Sequence, residues 1–196
     1  MKKIKINLKK INKQDIDLMA AFLREGAAIA YPTDTVYGLG CMADNKKAVN
    51  KIFKIKQRKL DKALLMLVGS VSMAKRYCRI SRAQENILKK YWPGQFSFIL
   101  ESRDKLPKDL GGKTDTIAVR LPKNDFIVSI IKKIKVPLVS TSLNISGEKP
   151  LADVENIENH FKKHKPDLVV DAGKIKGKPS TLIDLRDVEN IKIIRK

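Results

Sequence analysis

A chain of 196 residues with 43% hydrophobic and 32% charged side chains can form one compact domain with a sizeable core, which argues against a disordered polymer. Its 41 Lys plus Arg against 21 Asp plus Glu give a formal charge of +20, which suits nucleotide or RNA partners and equally a lysine-rich solubilising surface. Two cysteines, Cys41 and Cys78, lie outside any CxxC pair, and no long apolar run follows the basic N-terminus, so a disulfide framework, a structural zinc and a membrane span are disfavoured and a reducing cytoplasm is expected.

Polar and apolar residues alternate over Lys3–Asn7, as in a half-buried strand. Ile16, Met19, Ala20 and Leu23 recur at helical spacing before Gly26. A buried strand over Ala27–Tyr31 ends at Pro32, and a second helix spans Asn45 to about Gln57. Strands are expected at Leu64–Val68, Phe96–Leu100, Thr116–Val119 and Leu138–Ser140, separated by helices near 71–78, 82–91 and 125–134. The tail predicts a helix near 153–163 and strands near 167–171, 181–185 and 191–195. Alternation of this kind, without repeats or a long linker, predicts one α/β domain with a mixed sheet.

Three segments concentrate polar chemistry where strands give way to loops, the usual place for ligands in open α/β sheets. In AIAYPTDTVYGLG (28–40), Thr33 and Thr35 alternate and offer two hydroxyls on one side; an ordinary turn bonded to its own backbone also fits. In KIKQRK (54–59), Lys56 falls seven residues after Val49 and continues the apolar stripe, where a cation needs an anion or carboxylate beside it. Arg58 follows with a fork able to grip phosphate, although cations also favour a helix C-terminus through its dipole. PLVSTSLNISGEKP (137–150) gathers Ser140, Ser142, Asn144, Ser146 and Gly147, donors suited to phosphate or carboxylate oxygens, or to a plain polar turn. Neither GxxxxGK[ST] nor GxGxxG occurs, so the commonest nucleotide motifs are absent. His160 and His164 stand four apart but lie in a lysine-rich stretch, and they are read as surface residues, with no metal site expected.

YPTDTVYGLG (31–40), the K-x-R of Lys56 and Arg58, AVRLP (118–122), STSLNISG (140–147) and STLIDL (180–185) occur in that order. Together they resemble the YrdC-like family of threonylcarbamoyl-AMP synthases over about residues 15–195. The resemblance implies a single YrdC-like domain over 1–196: a twisted mixed α/β sheet with flanking helices and a deep basic cavity. It implies that L-threonine, bicarbonate and ATP are joined there into threonylcarbamoyl-AMP and pyrophosphate. A downstream tRNA threonylcarbamoyl transferase would use the product beside the anticodon, and tRNA or double-stranded RNA enters as a further partner. ATP is then a substrate, accompanied by Mg2+ held by phosphate oxygens and waters, with no tightly bound cofactor. Any closure over the intermediate would come from this domain or a partner.

Carried over by motif, the catalytic set is Lys56, Arg58, Ser142 and Asn144. Thr33, Thr35, Arg120, Ser140 and Ser180 would meet threonine. Lys56, Arg58, Lys62, Thr116, Ser142, Asn144 and Arg195 would meet the nucleotide. Such groups suit a reaction that builds negative charge on oxygens without a covalent enzyme intermediate. Three departures stand out. Lys59, Lys62 and Ala63 replace a proline-containing stretch, Leu67 takes the place of a threonine-contacting histidine, and PGQFSFIL (93–100) looks more like a sister branch of unclear activity. That branch generally lacks the combined K-x-R and S-x-N signature. The rival readings are that sister branch and an RNA-binding module with salt-sensitive affinity.

Overall fold

A computed structural model describes residues 1–107, 110 and 115–196. The helices are α1 (Lys13–Arg24), α2 (Lys46–Lys56), α3 (Val71–Tyr77), α4 (Arg82–Tyr91), α5 (Asp125–Ile134) and α6 (Ile157–His160). The strands are β1 (Lys2–Lys5), β2 (Ile29–Tyr31), β3 (Gly38–Met42), β4 (Leu65–Leu67), β5 (Cys78–Arg79), β6 (Phe96–Ser102), β7 (Thr116–Arg120), β8 (Leu138–Ser142), β9 (Leu168–Asp171), β10 (Thr181–Asp184) and β11 (Lys192–Arg195).

Local chemistry sets the helix limits. Asn12, Asn45 and Asn124 each accept a backbone N–H of the first turn with the side-chain oxygen, which satisfies a donor the helix cannot. At α4 a reciprocal capping box joins Ser81 and Gln84. α1 is followed by Gly26 at φ 82°, a left-handed conformation natural to glycine. On α5, Phe126, Ile127, Ile130, Ile131 and Ile134 are buried on one stripe. Each such side chain contributes roughly 1.5–3 kcal/mol on leaving water.

The sheet runs β1-β9-β2-β3-β8-β4-β7-β6-β10-β11, with β5 on β6, and mixes parallel and antiparallel pairs. Cross-strand neighbours share a face, so register assigns side chains to one side or the other. Cys41, Val139, Met66, Val119, Phe98 and Ile183 form one continuous row, all buried in the core. The alternate row runs Gly40, Ser140, Leu65, Ala118. Its neighbours on the same face are Gly38 and Ser142, then Leu67 and Arg120. Farther along lie Ser97, Leu182 and Arg195. This second face sets hydroxyls and two arginines around three leucines and small residues.

Two expectations from the sequence are corrected. The segment after Tyr31 is a hairpin: β3 pairs antiparallel with β2 and carries Gly38 and Gly40 into the sheet. The helix expected near 153–163 contracts to α6, although Val154, Ile157 and Phe161 are buried as their spacing suggests. Asn156 provides no side-chain cap for the short turn. Among the described residues no helix is long and apolar enough to cross a membrane.

Candidate anion-binding active site

The second sheet face opens into a cavity of about 290 Å³. Lys56, Arg58, Arg120 and Arg195 line it, and among the described residues no Asp or Glu does. A recess lined by four cations concentrates anions.

At one end, α2 delivers Lys56 beneath the loop that follows β8. Lys56 is 1% exposed, and its Nζ donates to the carbonyls of Ser142 (2.6 Å) and Asn144 (3.0 Å) and to Asn144 Oδ1 (2.9 Å). These bonds use the three ammonium protons, so Lys56 holds the loop while supplying charge. Burial, with the Arg58 charge adding to it, pushes its pKa down to about 7. Ser142 Oγ donates to Asn144 Oδ1 (2.6 Å), and Asn144 Nδ2 donates to the carbonyls of Ile145 (2.8 Å) and Glu148 (2.7 Å). Ser146 and Gly147 complete this wall. Ser146 Oγ is buried without a hydrogen-bond partner among the described residues. Arg58 reaches back to the carbonyls of Lys62 (3.3 Å) and Ala63 (2.8 Å), which fixes its fork at the rim. Burial lowers its pKa from the ordinary arginine value.

In the middle, Arg120 is 3% exposed. Its Nε donates to Gly94 O (2.8 Å), Nη1 to Thr35 Oγ1 (3.2 Å) and Nη2 to Asp34 Oδ2 (2.7 Å). Burial lowers its pKa, with Asp34 opposing the shift. Thr33 Oγ1 lies 2.9 Å from Thr35 Oγ1 and also accepts the backbone N–H groups of Thr35 (3.0 Å) and Val36 (3.2 Å). The turn is thus both bonded to its own backbone and directed at the cavity. At the far end, Ser97 and Ser180 hydroxyls are 2.8 Å apart, and Arg195 Nη2 donates to Ser180 O (2.8 Å). Leu65, Leu67, Ala118 and Leu182 form an apolar floor between the polar groups.

The structure therefore gathers Thr33, Thr35, Lys56, Arg58, Arg120, Ser140, Ser142, Asn144, Ser180 and Arg195 around one cavity. Lys62 and Thr116 are not in its lining. Lys62 has an exposed side chain and contributes its carbonyl to Arg58, while Thr116 lies at the start of β7 opposite Glu101. Sequence reasoning missed Ser97, which lies in PGQFSFIL (93–100) without being read as a site residue, and Asp34, whose partner Arg120 is 86 residues away in the chain. Among the described residues no group of three or more His, Cys, Asp or Glu could hold a metal ion. His160 is half-buried beside Glu148 (3.2 Å) and His164 is exposed, so the two do not form a pair on one helix.

Fold and lining define an α/β protein with a cationic, hydroxyl-rich pocket for a small anionic ligand. The Sua5/YciO/YrdC family model, described as telomere recombination, matches residues 21–196, and the chain belongs to that family. It is 33% identical over 180 residues to a threonylcarbamoyl-AMP synthase of Pyrococcus abyssi, covering 91% of this chain and 53% of that protein. The chain thus spans about half the length of that relative. A Klebsiella pneumoniae protein of the same name is 33% identical over 144 residues, 72% of this chain and 76% of its own. The P. abyssi Sua5 structure complexed with L-threonine superposes with a TM-score of 0.85 at 31% identity, covering 94% of this chain and 54% of that one. Escherichia coli YciO gives a TM-score of 0.88 at 28% identity, with coverage of 100% and 94%.

Proposed function

We propose that this chain is an L-threonylcarbamoyladenylate synthase, which carboxylates the threonine amine with bicarbonate and transfers AMP from ATP to the carbamate, releasing pyrophosphate. The observation that carries the reading is the cavity itself: among the described residues, hydroxyls, amides and four cations converge there with no acidic residue in the lining. Both chemical steps develop negative charge on oxygen, and preorganised donors lower such barriers most. Relatives named for this activity support the assignment.

In this reading Lys56, Arg58, Ser142 and Asn144 serve the phosphates and the carbamate, with Ser146 a further hydroxyl on that wall. Thr33, Thr35, Arg120, Ser140 and Ser180 receive threonine, and Arg195 borders the nucleotide. Lys62 and Thr116 would act from outside the lining. Magnesium would arrive with ATP and stay on its phosphates and waters, since the carboxylate of Asp34 is already engaged by Arg120. The product would pass to a tRNA threonylcarbamoyl transferase.

Pyrophosphate release from ATP and bicarbonate, with and without L-threonine, tests this. Threonine-dependent release, reduced at least a hundredfold in Arg58→Ala, is the expected outcome. The second reading, a sister-branch nucleotide-binding protein, is favoured by Leu67 in the cavity floor and by the end-to-end match with YciO. ATP binding without any threonine effect on pyrophosphate release would decide for it.

A further inference from the structure

We infer that Asp34 is a positioning residue for the substrate carboxylate, acting through Arg120. The inference rests on the reading above that Arg120 meets the threonine carboxylate. Asp34 stands between Thr33 and Thr35 but is absent from the cavity lining. Its carboxylate lies behind the site, where Oδ2 accepts from Arg120 Nη2 (2.7 Å) and from the backbone N–H of Lys123 (3.1 Å). Its backbone carbonyl accepts from Gln95 Nε2 (3.0 Å), so main chain and side chain are both anchored. The ion pair is largely dry, with side-chain exposures of 4% for Arg120 and 12% for Asp34. Among the described residues it is the only carboxylate paired with Arg120.

A guanidinium carries five N–H groups in one plane. Arg120 commits Nε to Gly94, one Nη1 proton to Thr35 and one Nη2 proton to Asp34. One proton on each terminal nitrogen is left, a pair of donors on a plane pinned at three points. A carboxylate bound at two points demands that orientation, whereas a lone anion needs only the charge. Without the Asp34 anchor, Nη2 loses its partner, and the plane is held only at Nε and by the longer 3.2 Å bond from Nη1 to Thr35. The positive charge remains, but the fork no longer faces the substrate. Asp34 therefore governs recognition of the amino-acid carboxylate and leaves the phosphate wall, built on α2 and β8, untouched.

Asp34→Ala removes the acceptor that holds Arg120 Nη2. The expected result is a rise of about tenfold in KM for L-threonine with KM for ATP within twofold. A second readout does not depend on turnover: in protein labelled with 15N-arginine, the Arg120 Nε–H resonance, assigned with Arg120→Lys, should exchange slowly in the parent and quickly in Asp34→Ala. Unchanged threonine KM together with an unchanged Arg120 resonance would overturn the inference, as would equal rises in both KM values. If the parent protein shows no threonine dependence at all, the functional reading fails, and the resonance alone then decides whether Asp34 fixes Arg120.

Discussion

Lys56 shows how much a single side chain can carry. Its charge sits under the Ser142–Asn144 loop with all three protons committed, in surroundings that press its pKa down to about 7. Its burial was legible because seven residues separate it from Val49 on one helix face. Its partners were not, since Ser142 and Asn144 lie 86 and 88 residues away in the chain. The lowered value has a consequence with a definite sign. Above about pH 7 the neutral amine is favoured in the empty site, and an arriving phosphate favours the ammonium, so binding draws in a proton. Calorimetry of ATP binding at pH 8 in buffers of different ionisation enthalpy should show net proton uptake, lost in Lys56→Gln. Uptake identical in the two proteins would remove Lys56 from the anion site.

At the scale of elements, the β3–β8 pair explains why the phosphate wall can approach the sheet so closely. Gly40 faces Ser140 across that pair, and a Cβ there would lie 2.1 Å from Val139 O and 2.8 Å from the Tyr31 hydroxyl. Neither neighbour can withdraw, as one is backbone and the other a fully buried ring. Gly40→Ala should therefore destabilise the protein by on the order of 2 kcal/mol, read as a lower urea midpoint at unchanged slope. A midpoint equal to the parent's would show that β3 and β8 are not packed this tightly. The same pair marks a limit of the sequence. Strands rich in branched or aromatic residues announced themselves, as did helices with asparagine or serine caps. The hairpin strand β3, with two glycines in five residues, did not, because low β-propensity was overridden by its place between β2 and β8. The tail helix failed for the opposite reason. Val154, Ile157 and Phe161 keep helical spacing and are buried, yet periodicity reports which side chains are covered and not which backbone groups pair.

For the whole molecule, the site is a property of strand order. β8, β4, β7, β6, β10 and β11 are neighbours in the sheet although their sequence order differs, and register brings one face of each to the cavity. That is why separate motifs could name most lining residues while none could show that they meet. It is also why Ser97, bonded to Ser180 across 83 residues, went unnoticed. The formal charge of +20 is spread over the surface, but within the cavity it resolves, among the described residues, into four named cations with no acid in the lining. That local arrangement, more than the net charge, argues for chemistry on small anions.

The most direct test of the account is to look for the product. The full chain should be incubated with ATP, magnesium, L-threonine and 13C-bicarbonate, quenched at once and analysed by mass spectrometry. A threonylcarbamoyl adenylate one mass unit heavier than that made from unlabelled bicarbonate is the expected result. Intact ATP and threonine with no labelled adduct, under conditions where ATP binding is demonstrated, would contradict it.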